Sequence, residues 1–248
     1  MTTINHGHSS SLYSASANSL ASQVSRYVNS TQPTASVLTF TEVGSAKRTQ
    51  VLKDAHDDWA AWVPDASDVG IMWRKGDFSP VWKEAHKLTD KVWTDGKGRK
   101  HTTYCATALL KHESGKTLFL SVCHLPSHVQ NGNKFYDNAQ ARAWKSACDG
   151  WSKYWNQKRK KDHPTLALIV ADWNVDFFNE TWRKNVQAYF PSMFLSWNGN
   201  MPPKGKGTHG NRLIDGTMAT VKATPCKLLK DDNSSDHRPY GEAMKWGG

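Results

Sequence analysis

Six short segments of this chain set acids, amides or histidines beside apolar runs. They are Thr3-Ile4-Asn5, Thr39-Phe40-Thr41-Glu42, Ser121-Val122-Cys123-His124-Leu125-Pro126, Ile169-Val170-Ala171-Asp172-Trp173-Asn174, Arg212-Leu213-Ile214-Asp215 and Ser234-Ser235-Asp236-His237-Arg238-Pro239. Carboxylates and amides are hard oxygen ligands for a divalent cation, and histidines and carboxylates move protons. A covalent nucleophile is disfavoured. Cys123 and His124 are strand neighbours and so face opposite ways, and the same alternation argues against a serine triad in Ser235-Asp236-His237. A period of two would point Asp172 and Asn174 the same way, with Trp173 opposed. Asp215 follows the apolar pair Leu213-Ile214, a place where a carboxylate needs a partner. Each residue taken singly has a plainer reading. His124 reads as a core histidine, Asp172 and Asn174 as turn and cap residues before Phe177, and Asp236 as a cap to the last strand. His6 and His8 alternate, but two histidines alone are weak evidence for a metal.

Positioning such groups requires strands, and the apolar runs supply them. Strands are predicted over Val37–Glu42, Val69–Arg74, Thr102–Lys111, Thr117–Leu125, Leu166–Asp172, Arg212–Val221 and Tyr240–Trp246. His112-Glu113-Ser114-Gly115 reads as a hairpin turn, making the strands on either side antiparallel. Helices are predicted over Asn18–Val28, over Asp137–Lys161, and from an Asn179 N-cap to a stop at Pro191. In the long helix Trp144, Ala147, Cys148, Trp151 and Trp155 form a stripe that reads as core. Lys158-Arg159-Lys160-Lys161 ends it, where the macrodipole favours cations and solvent is expected. Strands joined by both hairpins and helices imply mixed sheets with helices packed outside.

The 248 residues carry 32 Lys+Arg against 22 Asp+Glu, a formal charge of +10, with 38% hydrophobic residues and 12 Trp. That much apolar surface excludes a disordered chain, and the positive balance favours a polyanionic partner. With no internal repeat and no long linker, residues 1–248 read as a single domain. Cys105, Cys123, Cys148 and Cys226 form no CxxC pair and read as reduced thiols. No apolar run approaches the ~18–20 residues of a membrane span, and MTTINHGHSS lacks the features of a signal peptide. A cytoplasmic protein without a membrane span is expected, with a monomer favoured.

The ordered set resembles the endonuclease/exonuclease/phosphatase superfamily, whose fold is that of pancreatic deoxyribonuclease. The family pattern has an Asn ending the first strand and a Glu ending the second. A His or Tyr lies on a middle strand, followed by GD-x-N, an Arg/Ile-Asp pair and a terminal Ser-Asp-His. The matches are Asn5, Glu42, His124, Asp172 with Asn174, Asp215, and Asp236 with His237. Three positions depart from it: Ala171 replaces the Gly of GD-x-N, Thr41 stands where Gln often precedes the Glu, and Gly7 sits where some relatives carry a metal-binding Asp. The resemblance implies an α/β (α+β) sandwich of two packed mixed β-sheets flanked by helices. It also implies Mg²⁺, with Mn²⁺ or Ca²⁺ able to substitute or assist, held by Glu42, Asp236 and Asn5. Asp172 would position or deprotonate a water, Asn174 would hold a phosphate oxygen, and Asp215 would orient His237 on the scissile phosphate. His124 would act as general acid or phosphate ligand.

Metal-dependent phosphodiester hydrolysis is therefore expected, with a nuclease favoured. The +10 charge tips the substrate to nucleic acid, DNA over RNA. So do the basic loops carrying Lys97, Arg99 and Lys100, and Lys204 and Lys206, which suit backbone phosphates. Relatives specialised for abasic sites tend to carry Tyr at the position of His124, so its His resembles the less selective deoxyribonuclease arrangement. A phosphatase or phospholipid phosphodiesterase would keep the same site. A non-catalytic nucleic-acid-binding protein would keep the charge and lose the site.

Overall fold

Leu166–Asp172 is buried at every position, and so is Val37–Thr41. Such strands must be covered on both faces. In the computed structural model each lies inside a six-stranded mixed sheet. The structure describes residues 2–8, 24–25, 36–43, 46–54, 56–95, 98–199, 201–222, 227–228, 237–238 and 240–244, with residues 2–8 described as backbone.

The first sheet contains β1 (Thr2–His8), β2 (Val37–Thr41), β3 (Trp59–Trp62), β4 (Gly70–Arg74), β15 (Lys227–Leu228) and β16 (Tyr240–Met244), in the order β15-β16-β1-β2-β4-β3. The second contains β5 (Phe78–Lys87), β8 (Tyr104–His112), β9 (Thr117–His124), β12 (Leu166–Asp172), β13 (Phe194–Leu195) and β14 (Asp215–Ala219), in the order β13-β14-β12-β9-β8-β5. Two small hairpins, β6 (Trp93–Thr94) with β7 (Lys100–His101) and β10 (Gln130–Asn131) with β11 (Lys134–Phe135), stand apart. Among the described residues the helices of more than one turn are α1 (Ala46–Lys53), α2 (Ala139–Asp162) and α3 (Glu180–Tyr189). This is the sandwich the motif order implied.

Strand alternation assigns each face. On β9, Leu118, Leu120 and Val122 meet Val37, Ile71 and Trp73 of the first sheet in the inter-sheet core. Phe119 and Cys123 turn the other way, into the core shared with Trp144, Trp151 and Trp155 of α2 and Trp182 of α3. Leu38, Phe40 and Met72 line the outer face of the first sheet, with Leu52 of α1 and Val24. The tryptophan stripe is core, each ring contributing roughly 1.5–3 kcal/mol or more by burial. α2 approaches so closely that a Cβ at Gly150 would stand 1.9 Å from the Leu88 carbonyl oxygen. Glycine is required there despite its cost of about 1 kcal/mol in a helix.

Boundaries moved by small amounts, each with a visible cause. α2 starts after Asn138, whose Oδ1 accepts from Ala141 N at 2.7 Å, and ends at His163 with φ 44°. Asn179 caps α3 as predicted, accepting from Thr181 N. The predicted strand from Arg212 begins only at Asp215, because Leu213 N bonds Asp176 and Ile214 N bonds Thr208 instead of a strand partner. Edge strands β3 and β5 and helix α1 were not anticipated. Lys158 is not solvated: its Nζ reaches Glu84 at 2.9 Å and lies 4.1 Å from the Trp82 ring centroid. Of the predicted helix Asn18–Val28, Val24 and Ser25 are helical and the rest lies outside the described residues.

Candidate active site

The inward alternation of three neighbouring strands ends in polar side chains. On β9 it runs Leu118, Leu120, Val122, His124, and on β12 Leu166, Leu168, Val170, Asp172. On β14 it begins at Asp215 and continues through Thr217 and Ala219. Register places Asp172 directly opposite His124 on one side and Asp215 on the other. Three polar side chains thus form a row across adjacent strands, at the rim between the sheets. Cys123, one residue earlier, is fully buried on the helix side.

Ends of the first sheet supply the facing groups. Glu42 leaves β2 with φ 60°, Asp68 precedes β4, and His237 precedes β16. A left-handed glutamate costs on the order of 1–2 kcal/mol, a strain retained here in the lining of the cleft. Val43 N donates to Asp68 O at 2.7 Å and holds the two loops together.

Two aspartate–histidine pairs flank Asp172. His237 Nδ1 lies 2.8 Å from Asp215 Oδ2, with Asp215 wholly buried and His237 5% exposed. His124 Nδ1 lies 2.9 Å from Asp68 Oδ2. The Nε2 atoms lie 3.7 Å (His124) and 4.0 Å (His237) from Asp172 Oδ2, and His124 Nε2 is also 3.7 Å from Glu42 Oε1. Burial opposes charge on His124, but Asp68, Glu42 and Asp172 outweigh it and raise its pKa to about 10. Burial likewise works against the Asp68 carboxylate, and His124 more than offsets this, holding it below its ordinary value. Asp172 is pushed up to about 6, first by burial and then by the Asp215 charge, against the pull of both histidines and the Asn174 N–H.

Asp172 and Asn174 both line the cleft, but not through a strand period of two. The strand stops at Asp172, whose Oδ1 accepts from Asn174 N at 2.9 Å, and Asn174 turns back with φ 54°. Its Nδ2 donates to Leu125 O at 2.8 Å. Trp173 faces away as expected, donating from Nε1 to Gly216 O. The loop before Asp215 is pinned by Thr208, whose Oγ1 accepts from Ile214 N and Asp215 N at 3.1 and 3.2 Å. Gly207 permits this turn, since a Cβ there would stand 1.9 Å from Arg212 O.

The structure thus gathers Glu42, His124, Asp172, Asn174 and His237 in one cleft of roughly 890 Å³, with Asp215 buried behind His237. Arg99 also lines this cleft, held by Asp95, whereas Lys100, Lys204 and Lys206 are exposed and outside its lining. Asp236 and Lys97 lie outside the described residues, as does the Asn5 side chain. β1 continues three residues past Asn5, whose register partner is Leu38, while His8 pairs with Thr41 beside Glu42. Asn5 is therefore mid-strand rather than at the strand end. Sequence reasoning missed Asp68, though an acid immediately before a predicted strand was the available signal. It also missed His209, whose ring packs 4.6 Å from that of His237.

Asp172, Asp215 and His237 bring ligand-capable atoms within 4.8 Å of one another, so this buried group can hold a metal ion. The 2.8 Å contact between Asp215 and His237 is hydrogen-bond length, which assigns those two atoms to each other. Glu42 Oε1 and Asp172 Oδ2 both lie 3.7 Å from His124 Nε2, hard oxygen atoms of the kind that bind divalent cations.

No family model matches the sequence, and no curated protein matches it. Solved structures do. A mannosyl-6-phosphatase of Bacteroides thetaiotaomicron superposes with TM-score 0.75 at 13% identity, over 98% of this chain and 99% of that one. An endonuclease/exonuclease/phosphatase family protein of the same organism gives 0.73 at 13%, over 97% and 96%. Danio rerio TDP2, solved with a single-strand DNA product, gives 0.69 at 16%, over 97% of both chains. The chain has the endonuclease/exonuclease/phosphatase fold that its motif order implied. Among the described residues no helix is long and apolar enough to cross a membrane.

Proposed function

We propose that this chain, built on the endonuclease/exonuclease/phosphatase fold, is a Mg²⁺-dependent phosphodiester hydrolase that acts as a nuclease, with DNA favoured over RNA. The carrying observation is the pair of aspartate–histidine couples, Asp215–His237 and Asp68–His124, converging on the buried carboxylate Asp172. Glu42, with Asp236 proposed beside it, would hold the metal, whereas Asn5, in register with Leu38 of the outer face, would not. A divalent ion bound there supplies a Lewis acid that offsets charge developing on the phosphoryl oxygens.

The residues divide the remaining work. Asp172, ionised above about pH 6, orients a water and takes its proton. Asp215 accepts from Nδ1–H of His237 and supports its imidazolium form, whose Nε2–H donates to a non-bridging phosphate oxygen. His124, charged throughout the neutral range, serves as a fixed cationic donor to phosphate rather than as an acid titrating near neutrality. Asn174 contributes an amide at the same wall. The +10 charge supports a polyanionic substrate, as do Arg99 and Arg212 in the cleft and Lys100, Lys204 and Lys206 in exposed loops. The likeness to a protein solved with single-strand DNA supports it as well.

A phosphomonoesterase is the second reading, favoured by the likeness to a mannosyl-6-phosphatase. Plasmid, single-stranded DNA, RNA, sphingomyelin, inositol phosphates and a sugar phosphate, each incubated with Mg²⁺, decide between them. Cleavage of polynucleotide well above the others, lost in Asp172→Ala, supports the nuclease. Release of phosphate or phosphocholine with polynucleotides intact replaces it with the alternative.

A further inference from the structure

The cleft extends well beyond the acid–histidine cluster. Its roughly 890 Å³ is the size of a complete ligand site, far more than one phosphate occupies. The additional wall is aromatic. In the β6–β7 hairpin Trp93 is buried, and His101 stacks on it with ring centroids 4.7 Å apart and planes 26° apart. Asp95 braces this pair: its Oδ2 lies 3.0 Å from His101 Nε2 and accepts from Arg99 Nε at 2.7 Å. Gln140 Nε2 donates to Thr94 O at 3.0 Å, which ties the hairpin to the first turn of α2. Just before that helix Tyr136 lines the same cleft, 44% exposed. Among the described residues the other large aromatic so exposed is Phe194, which lies outside the cleft lining.

We propose, resting on the phosphodiester-hydrolase reading above, that His101 (backed by Trp93) and Tyr136 form a nucleobase-stacking subsite beside the scissile phosphate. A π-face accepts any base, and a braced ring loses little freedom when one stacks on it. A lipid tail needs a continuous apolar wall, whereas here the rings alternate with Asp95 and Arg99. Reaching these rings takes a base out of its helical stack, so the substrate class is an unpaired nucleotide, in a single strand or at a frayed end.

Binding tests this without turnover. In an Asp172→Asn background with Mg²⁺, calorimetry compares thymidine 5′-monophosphate with methyl phosphate, ligands that share the phosphate and differ in the nucleoside. The nucleotide is expected to bind about tenfold tighter or more, as one stacked base contributes. Tyr136→Ala and His101→Ala are each expected to remove most of that advantage and leave methyl phosphate binding unchanged. Tyr136→Phe and His101→Phe, which keep a flat ring, retain it. Equal affinity for the two ligands, or an advantage that survives both alanine substitutions, overturns the subsite. A wild-type chain that hydrolyses 4-nitrophenyl methyl phosphate as well as the corresponding thymidine diester keeps the hydrolase reading and overturns the subsite. Failure of both ligands to bind and of both esters to react overturns the two together.

Discussion

Replacing Asp215 by Asn tests the buried pair at the centre of the proposed chemistry, because shape is kept while charge is removed. Asp215 is wholly buried and its Oδ2 sits 2.8 Å from His237 Nδ1. An amide at that position presents its NH₂ to Nδ1, which fixes the neutral tautomer protonated on Nε2 and removes the carboxylate that supports the imidazolium. The corresponding change in a serine-protease triad costs about 10⁴-fold in turnover, and acid–base roles in general ~10²–10⁴-fold, so a loss in that range is expected here. The same substitution has a second, independent signature. Asp172 is raised to about 6 in part by the Asp215 charge, and ligand-capable atoms of the two lie within 4.8 Å. At an effective dielectric of about 20, two charges at that distance repel by roughly 3 kcal/mol, about two pH units. Part of this is returned as His237 loses its anchor, so the acid limb of the pH–rate profile is expected to move down by about one unit or more. Initial rates on a single-stranded oligonucleotide and on 4-nitrophenyl methyl phosphate, from pH 4 to 8 at saturating Mg²⁺, measure both effects. Wild-type turnover with an unmoved acid limb would refute the coupling of Asp215 to His237 and Asp172.

Further outcomes follow from the same geometry. Asp172→Asn is expected to abolish turnover yet stabilise the fold. A carboxyl raised from 3.8 to about 6 makes the native state lose stability as pH rises through that window. Removing it should therefore gain about 1–3 kcal/mol at pH 7 and little at pH 3.5, read by denaturant titration at both. Chelation should silence the protein and added Mg²⁺ restore it, while Glu42→Gln raises the half-saturating Mg²⁺ concentration about tenfold or more. Cys123→Ala, on the helix side of β9, should cost about 1 kcal/mol of stability and leave kcat within a factor of a few. Lys204→Gln with Lys206→Gln should flatten the salt dependence of DNA binding, by about 0.9 in log–log slope for each phosphate that is no longer neutralised, while sparing a small diester. An unchanged slope would remove that loop from the interface.

Much of this molecule was legible in one dimension, and the reason is periodicity. Leu166–Asp172 and Val37–Glu42 read as strands because they are short apolar runs, and the tryptophans of α2 read as core because they recur at helical spacing. Alternation also separated Cys123 from His124 correctly, since facing is a local property of extended backbone. Asp215 was marked by its apolar neighbours as needing a partner, and His237 is that partner. What alternation does not carry is register and conformation at strand ends. That Asp172 lies opposite both His124 and Asp215 depends on hydrogen-bond pairing between strands far apart in the chain. Asn174 reaches the cleft through a left-handed turn instead of a pleat. Asp68 looked like any acid in a loop until the packing of two sheets brought it within 2.9 Å of His124. The aromatic wall of His101 and Tyr136 has no periodic signature, because it is assembled from a short hairpin and the approach to α2. Sequence pattern therefore determined which residues face inward, and tertiary packing decided which inward-facing polar groups meet. Facing is set by dihedrals within a few residues, whereas meeting is set by long-range pairing.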